Sequence, residues 1–322
     1  MLRDTTGKGA TSSRWKDFLR RLFKDRWAMT SVIVLLLYFV TAIVFESYSV
    51  YCYSHQQTPA YAVEELDNRF APPSSEHWFG TDYLGRDVFL RALAGTGTAI
   101  KVGVIASSIA AIIGVLLGAF AGYFGGKLDD FVVWLYSTFA AMPTLLFILA
   151  FALLVGKGFL SPELGGIVRW LGTNFNTDPG MLAVYLGIGL TGWVTLCRVV
   201  RAETFKLRNQ GYVLAAKVAG ASSLVIIFRH IIPNLSHLII IYFTLRFADA
   251  IMTEVIVSYL GMGVQSVPSW GMMIADGQER LWRGVWWEVA GATVIMFFLV
   301  LALHVLGDKL RDLLDPRLRD NA

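Results

Sequence analysis

The sequence predicts an all-α, polytopic membrane protein with six transmembrane helices. Of its 322 residues, 55% are hydrophobic and only 16% are charged, against roughly 25% charged residues in soluble domains. The mean hydropathy is +0.56. Apolar runs of about 20 residues, enough to cross the hydrocarbon layer, recur along the chain. Together these observations exclude a soluble globular class.

The six spans follow from the position of the apolar runs. Five are free of Asp, Glu, Lys and Arg, and they cover residues 27–45, 102–124, 131–156, 179–197 and 289–307. The sixth, 235–260, is apolar but contains Arg246, Asp249 and Glu254. The first apolar run follows a basic segment, as the apolar region of a signal peptide does. The basic segment and the apolar run are both long, and no cleavage site of the small-x-small type follows closely. We therefore expect an uncleaved helix.

The distribution of Lys and Arg predicts the orientation. These residues concentrate in 1–26, 198–234 and 309–322, which fall on one side of six spans. Basic loops stay in the cytoplasm, so both termini and the 198–234 loop are expected there. The predicted organisation is a cytoplasmic segment 1–26, a first helix 27–45, an outward loop 46–101, a five-helix core 102–308 and a cytoplasmic tail 309–322. Cys52 and Cys197 then lie at opposite faces, so we expect neither an internal disulfide nor a metal site.

The loop between the fourth and fifth spans has the pattern of a projecting knob. Ala215 and Ala216 have short side chains that let another protein approach closely. Gly220 permits a sharp reversal that a Cβ would resist. Pro233 stands at the start of the next helix, where its missing N–H costs little. The pattern predicts a helix–turn–helix that a partner protein can push, with an ordinary connecting loop as the alternative.

The full string, including Arg229, His230 and Pro233, resembles the cytoplasmic coupling loop of ABC importer permeases. That resemblance implies a type I ABC importer permease fold. It also implies that ATP and magnesium bind to separate ATPase subunits, with no cofactor in this chain. Leu214 stands where the family commonly has Glu before the Ala pair. We therefore expect docking by shape, with one polar contact missing.

Three further strings resemble the dipeptide and oligopeptide branch of that family. They are HWFGTDYLGRDV at 77–88, SYLGMG followed by PSWG between 258 and 271, and LGD, RD and DPR between 306 and 317. The resemblance implies the C-type permease of a peptide importer in a bacterial inner membrane. It further implies a homologous permease, two ATPase subunits or domains and an extracytoplasmic peptide-binding protein as partners, and no nucleic acid. An importer of nickel or of a peptide-like antibiotic remains an alternative.

The outer strings also have a physical interpretation. Asp82, Arg86 and Asp87 alternate in charge at short spacing, which predicts a small ion network that ties the outer loop onto the second helix. A structural latch is favoured there over substrate contact. Pro268, Trp270 and Gly271 lie in an outward loop with several more tryptophans. Indoles favour the membrane interface, so the expectation is a shallow, membrane-lying loop that gates the outer mouth.

Polar and helix-breaking residues inside the spans are the pathway candidates. Pro143 should kink the third span. Arg246, Asp249 and Thr253 fall on one face of the fifth span. A charge there costs about 2.5–3.5 kcal/mol by insertion scales and should face a cavity or a partner. Arg246 and Asp249 form either an interface salt bridge or a polar lining for a peptide's termini, and Glu254, nearer the outer end, would cap the gate.

Two other function classes compete with the permease. An ion-coupled secondary transporter would use Arg246, Asp249 and Glu254 as its relay, but no inverted repeat is visible. A membrane-embedded enzyme would need a nucleophile or metal motif, and neither Gly-x-Ser-x-Gly nor His-Glu-x-x-His occurs. The chain also has no G-x-x-x-x-G-K-[ST] phosphate-binding loop. We therefore predict a non-enzymatic permease driven by partner ATPases.

Overall fold

The computed structural model describes residues 20, 22–156, 165–166, 170, 179–263 and 267–314. Its α-helices are α1 (Arg26–Ser54), α2 (Val88–Phe124), α3 (Gly126–Ala141), α4 (Thr144–Gly156), α5 (Pro179–Gly192), α6 (Val194–Leu207), α7 (Gly211–Val218), α8 (Ser223–Ile226), α9 (Ser236–Tyr259), α10 (Trp270–Gln278) and α11 (Trp287–Leu314). A short π-helix, Ile227–Ile231, and a 3-10 turn, Ile232–Leu235, join α8 to α9. Further 3-10 turns are Ala60–Ala62, Leu66–Asn68 and Leu281–Arg283. In this part of the chain the β-structure amounts to an isolated bridge between Thr81 and Asp87.

Five stretches of the described residues are long and apolar enough to cross a membrane. They are Arg26–Ser54, Val88–Phe124, Gly180–Leu207, Ser223–Tyr259 and Trp287–Leu314. The pair α3 and α4 adds a sixth if the two helices form one span bent by 89°. The predicted all-α, multi-span class is confirmed. The N-terminal segment before residue 20, most of the 157–178 loop and the tail after residue 314 lie outside the described residues.

The predicted loop 46–101 is wrong at both ends. Helix α1 continues through Ser54, and α2 begins at Val88 rather than near residue 102. The charged residues next to the two apolar runs, Glu46 and Lys101, lie inside helices and contact each other at 2.5 Å. Arg91, also within α2, binds Asp82 of the loop. Asp87 caps the start of α2 by accepting the Leu90 N–H at 2.8 Å. Only the central part of this stretch, 55–87, is a loop with short turns.

The third span is broken at Pro143 rather than kinked. Helix α3 ends at Ala141, and the next residue, Met142, is extended with φ −84° and ψ 137°. A proline disfavours the α conformation of the residue before it and supplies no N–H of its own. Both effects act at this point, and the axes of α3 and α4 diverge by 89°.

Helix α2 lies at the centre of the bundle and packs against α1, α5, α6, α9 and α11. Three of its glycines, Gly114, Gly118 and Gly122, face α6. A Cβ added at Gly118 would come within 2.7 Å of the Cys197 carbonyl oxygen and 2.9 Å of Val200. Small residues let two backbones approach closely in a membrane. The glycine stripe therefore sets the distance between α2 and α6, which leads into the coupling loop.

Candidate functional site

The loop between the fourth and fifth spans forms two short helices around a reversal; we call residues 211–235 the coupling segment. Helix α7 ends at Val218, and Gly220 follows with φ +81°, a conformation that L side chains rarely adopt. Ser222 then caps α8 by accepting the Val225 N–H at 3.4 Å. Pro233 lies in the 3-10 turn that leads into α9. The predicted helix–turn–helix geometry is confirmed.

The base of the coupling segment is apolar and buried. Val213, Ile227 and Ile231 are fully enclosed, and they pack in one cluster with Val115 of α2 and Val200 of α6. Apolar side chains buried in this way contribute about 1.5–3 kcal/mol each where the reference state is water. The coupling segment is thus fixed to α2 and α6 by packing along its whole inner face.

The tip of the coupling segment presents apolar side chains to the outside. Val218 is 90% exposed and Leu214 47% exposed. Within the Ala pair, Ala215 is exposed whereas Ala216 packs partly against the base. Of the predicted basic residues, Arg229 is exposed and His230 half-buried in the short π-helix. Exposed apolar side chains grouped on a projecting element are typical of a protein-docking surface.

Polar contacts at this end of the bundle were missed by the sequence analysis. Arg201 of α6 binds Asp129 of α3 with two hydrogen bonds, of which Nη2 to Oδ2 is 2.6 Å. Arg208 donates to the Gly122 carbonyl at 3.2 Å, beside the C-terminus of α2. Lys217 of the coupling segment lies 5.0 Å from the ring centre of Tyr123. The signal available in the sequence was Asp129, a carboxylate in the first turn of a helix after two glycines.

At the other end of α2 lies a cluster of buried and half-buried charged residues that we call the polar latch: Asp82, Arg86, Arg91, Asp276, Arg280 and Glu288. Asp82 accepts from the Arg86 Nε at 2.8 Å and also binds Arg91. Arg280 donates to Glu288 at 2.6 Å and to the Asp276 backbone carbonyl at 2.5 Å. Burial raises the pKa of the Asp276 carboxyl, and Arg91 and Arg280 oppose this rise. The predicted pairing of Asp82 with Arg86 is confirmed, and Arg91 joins this pair to α2. Arg280 connects the end of α10 to α11 through Glu288, and its guanidinium lies 4.5 Å from the ring centre of Tyr83 in the 55–87 loop.

Asp87 has a different role from the one its spacing predicted. Besides capping α2, its Oδ2 contacts the His77 Nδ1 at 2.8 Å. Its partner is therefore a histidine of the loop rather than Arg86. The contact closes the loop 77–87 onto the first turn of α2.

Helix α10 and its leading loop are anchored by buried residues, which corrects the membrane-lying expectation for Trp270. This indole is 1% exposed and donates its Nε1–H to the Ala92 carbonyl of α2 at 2.7 Å. The Pro268 carbonyl accepts from Thr98 Oγ1 at 2.8 Å. A Cβ on Gly271 would collide with the Val255 carbonyl oxygen, so only glycine fits there. The Trp270 indole is therefore held between helices, whereas Trp282 and Trp286 of the same outward loop are exposed. The membrane-lying position of the loop and its gating role stay predictions.

Glu254 lies beneath this loop rather than at an open gate. It is almost fully buried, and one carboxylate oxygen accepts from Ser258 at 2.6 Å and from Ser269 at 2.8 Å. Ser269 in turn caps the first turn of α10. Glu254 therefore ties α9 to the start of α10. Its predicted role as a cap of the gate stays a prediction.

Arg246 and Asp249 are brought together on α9, as predicted. Arg246 Nη1 lies 3.4 Å from Asp249 Oδ2. Thr253 donates its hydroxyl to the Asp249 backbone carbonyl at 2.7 Å. The Arg246 side chain is 25% exposed and that of Asp249 51% exposed. The pair is thus on an open face of the described chain, unlike Glu254 one turn further on.

The geometry defines a helical, multi-span chain with a short helix–turn–helix at one end of α2 and a cluster of paired charges at the other. Residues 114–320 match the family described as the binding-protein-dependent transport system inner membrane component. Residues 13–73 match the N-terminal transmembrane domain of oligopeptide transport permease C. The chain belongs to the family of binding-protein-dependent inner membrane transport components. Members of this family are membrane permease components of ABC importers, and ATP hydrolysis belongs to partner subunits.

Similar proteins cover nearly the whole chain. The oligopeptide transport system permease protein OppC of Bacillus subtilis (strain 168) is 34% identical over 95% of this chain and 91% of its own length. The dipeptide transport system permease protein DppC of the same strain is 34% identical over 97% of this chain and 88% of its own. The glutathione transport system permease protein GsiD of Escherichia coli O6:K15:H31 is 32% identical over 95% and 91%. The predicted resemblance to ABC importer permeases is confirmed.

Proposed function

We propose that this chain is a permease subunit of an ATP-driven peptide importer in a bacterial inner membrane. The printed names of its relatives concern oligopeptides, dipeptides and glutathione, which share the peptide bond. The chain forms the pathway with a homologous permease and receives peptide from an extracytoplasmic binding protein. Separate ATPase subunits bind ATP and magnesium. Both termini and the coupling segment face the cytoplasm in this arrangement.

One observation carries the coupling role: an exposed apolar tip stands on a buried apolar base. A partner that grips Leu214, Ala215 and Val218 displaces the whole segment, because the base is packed against α2 and α6. Helix α9 begins directly after the segment. Closure of an ATP-bound partner would then reorient α9 and α2 together. Such a transition is driven by the partner's different affinity for the two states.

Gly220→Val tests this role. Valine at φ +81° is strained, by at least about 1–2 kcal/mol, and the turn must change shape to release that strain. No other atom lies within 4 Å of the added Cβ, so the change acts on the turn alone. We expect ATPase co-purification and peptide uptake to fall about tenfold, with the chain still inserted. The measurement is pull-down of the ATPase together with uptake of a labelled tripeptide into proteoliposomes.

Two glycines supply matched controls. Gly211 has the same open surroundings but an ordinary φ, so Gly211→Val changes side-chain size in the same segment without the strain. Gly126 has φ +57° and open surroundings at the start of α3, so Gly126→Val adds strain elsewhere. Both controls should keep most of the ATPase association. Normal uptake by an assembled Gly220→Val complex would contradict the coupling role.

A further inference from the structure

Arg246 and Asp249 form a loose pair on an open face of α9. Their separation of 3.4 Å exceeds the 2.7–2.9 Å of a strong guanidinium–carboxylate contact. The pairs Arg86–Asp82, at 2.8 Å, and Arg280–Glu288, at 2.6 Å, are both tighter. The Arg246 guanidinium is therefore held by Asp249 without being fully neutralised by it.

The surroundings of Arg246 leave its charge under-compensated. Its Nε is buried and has no hydrogen-bond partner among the described residues. The guanidinium lies against Gly192, at the junction of α5 and α6: a Cβ there would collide with Nη2 and come within 2.9 Å of Cζ. Glycine thus makes the room in which the guanidinium lies. The backbone of a second helix holds this charge in place, and no second carboxylate contacts it in the described part of the chain.

The exposed face of α9 continues outward from this pair as an apolar strip. Asp249, Met252, Ile256 and Leu260 are exposed at spacings of three and four, so they share one side of the helix. The opposite side, with Phe247 and Ile251, is buried in the core. An exposed carboxylate is disfavoured against lipid tails. This face of α9 is therefore suited to a water-filled pathway, with a charged end and an apolar wall.

We propose that Arg246 is a transient binding site for the C-terminal carboxylate of the transported peptide, and that Asp249 is the internal counter-ion that the peptide displaces. The inference rests on the proposed function and adds a substrate group to it. A carboxylate offers the two oxygens that a guanidinium binds best. Every linear peptide ends in one, whatever its side chains. Asp249 returns to Arg246 as the peptide leaves.

The positive charge of Arg246 also discriminates between a peptide and a nickel ion, two of the cargoes considered in the sequence analysis. An uncomplexed divalent cation is repelled by a guanidinium, and Asp249 alone offers it one carboxylate. Among the described residues, no group of three or more His, Cys, Asp or Glu side chains is placed to hold a metal ion. The site therefore favours a carboxylate-bearing cargo.

The test compares Arg246→Met, Asp249→Asn and the double variant in proteoliposomes that contain the full complex with its binding protein. Met keeps the length of the side chain without its charge. We expect Arg246→Met to lower trialanine uptake at least about tenfold, as for loss of a charged hydrogen bond. Asp249→Asn should keep at least about half of the uptake, because it frees the guanidinium for the peptide. The double variant should be as defective as Arg246→Met.

A purely structural salt bridge predicts a different pattern. Removing either partner then leaves an uncompensated charge, so both single variants would be defective and the double variant would recover. That pattern overturns the proposal, as does wild-type uptake by all three variants. Arg246→Lys is the second variant, since it keeps a positive charge. If Arg246→Met and Arg246→Lys both fail to assemble, the guanidinium is structural and the proposal is overturned as well.

Trialanine amide identifies the group that is recognised. Uptake of each substrate by a variant is divided by wild-type uptake of the same substrate. This ratio removes any preference of the binding protein for the acid or the amide, because that preference is the same in both complexes. The loss caused by Arg246→Met should be at least about threefold larger for the free acid than for the amide. Equal losses would overturn the carboxylate assignment. If the wild-type complex imports no peptide at all, the proposed function fails; if it does and the pattern is structural, only this inference fails.

Discussion

The polar latch and the coupling segment are both compact, but different forces hold them. In the polar latch, Asp82 accepts two side-chain bonds from Arg86 and Arg91 and two backbone N–H bonds from Leu84 and Arg86. In the coupling segment, the inner face is apolar, and the Tyr212–Asn234 side-chain contact is 3.4 Å long. The latch is rich in buried charge, and the segment is rich in buried aliphatic side chains.

The difference indicates what each region is built to do. Buried charges tolerate one arrangement, because every group that loses its partner is left desolvated. An apolar base has no such directional requirement and allows a segment to move as a unit with its neighbours. The latch therefore fixes the position of α10 and α11 against α2. The coupling segment transmits displacement while it keeps an exposed surface for a partner.

The largest expected effect is the loss of Asp82. Asp82→Ala would leave Arg86 and Arg91 uncompensated in a buried setting, which costs about 3–5 kcal/mol. We expect a marked fall in the thermal unfolding temperature of the purified complex, together with loss of assembled protein. Asp67→Asn, an exposed carboxylate in the same loop, is the control and should leave the unfolding temperature unchanged. Equal stability of the two variants would show that the latch is not held by its charges.

A smaller effect is expected at the apolar base. Gly118→Ala would place a Cβ within 2.7 Å of the Cys197 carbonyl oxygen, and overpacking of this kind costs about 1–3 kcal/mol. Because α6 leads into the coupling segment, we expect peptide uptake per ATP hydrolysed to fall as well. Gly187→Ala is the matched control, since its nearest contact of 3.4 Å is ordinary. A wild-type unfolding temperature for Gly118→Ala would mean that α2 and α6 can separate freely.

The smallest effect is a pH dependence within the polar latch. Burial raises the pKa of Asp276 above its ordinary value of 3.8 in spite of Arg91 and Arg280. The neutral form of the Asp276 carboxyl therefore contributes fully to stability below pH 3.8, the ordinary pKa. This contribution is lost as the pH rises through the pKa of the folded state. Asp276→Asn removes this titration. The advantage of the variant over wild type in stability should be larger at about pH 8 than at about pH 4.

Thermal unfolding of wild type and Asp276→Asn at both pH values measures this difference. Glu279 is an exposed neighbour at the end of α10. Glu279→Gln serves as the control, and its stability relative to wild type should be the same at both pH values. A stability difference between Asp276→Asn and wild type that is the same at both pH values would mean that Asp276 does not titrate against its buried surroundings.

The spans and the coupling segment could be predicted because their determinants are local. An apolar run of sufficient length must cross a membrane or be buried, and Gly220 with Pro233 marks the reversal and the next helix start. The extent of α1 and α2 could not be predicted in this way. Lys101 and Arg91 lie inside α2, where Glu46 and Asp82 pair with them from other elements. Local composition carries no information about those partners.

The sequence by itself determined the class of the protein: six apolar stretches, the basic loop with its Ala pair and Gly220, and the charged strings at 77–88. Only the tertiary structure decided which of these residues are exposed. It buried Trp270 of the loop that had been expected to gate, it buried Glu254 beneath that loop, and it left Asp249 open on α9. Periodicity places a residue on a face of its helix. Which neighbour covers that face depends on how the helices pack, and contacts between residues far apart in the chain decide the packing.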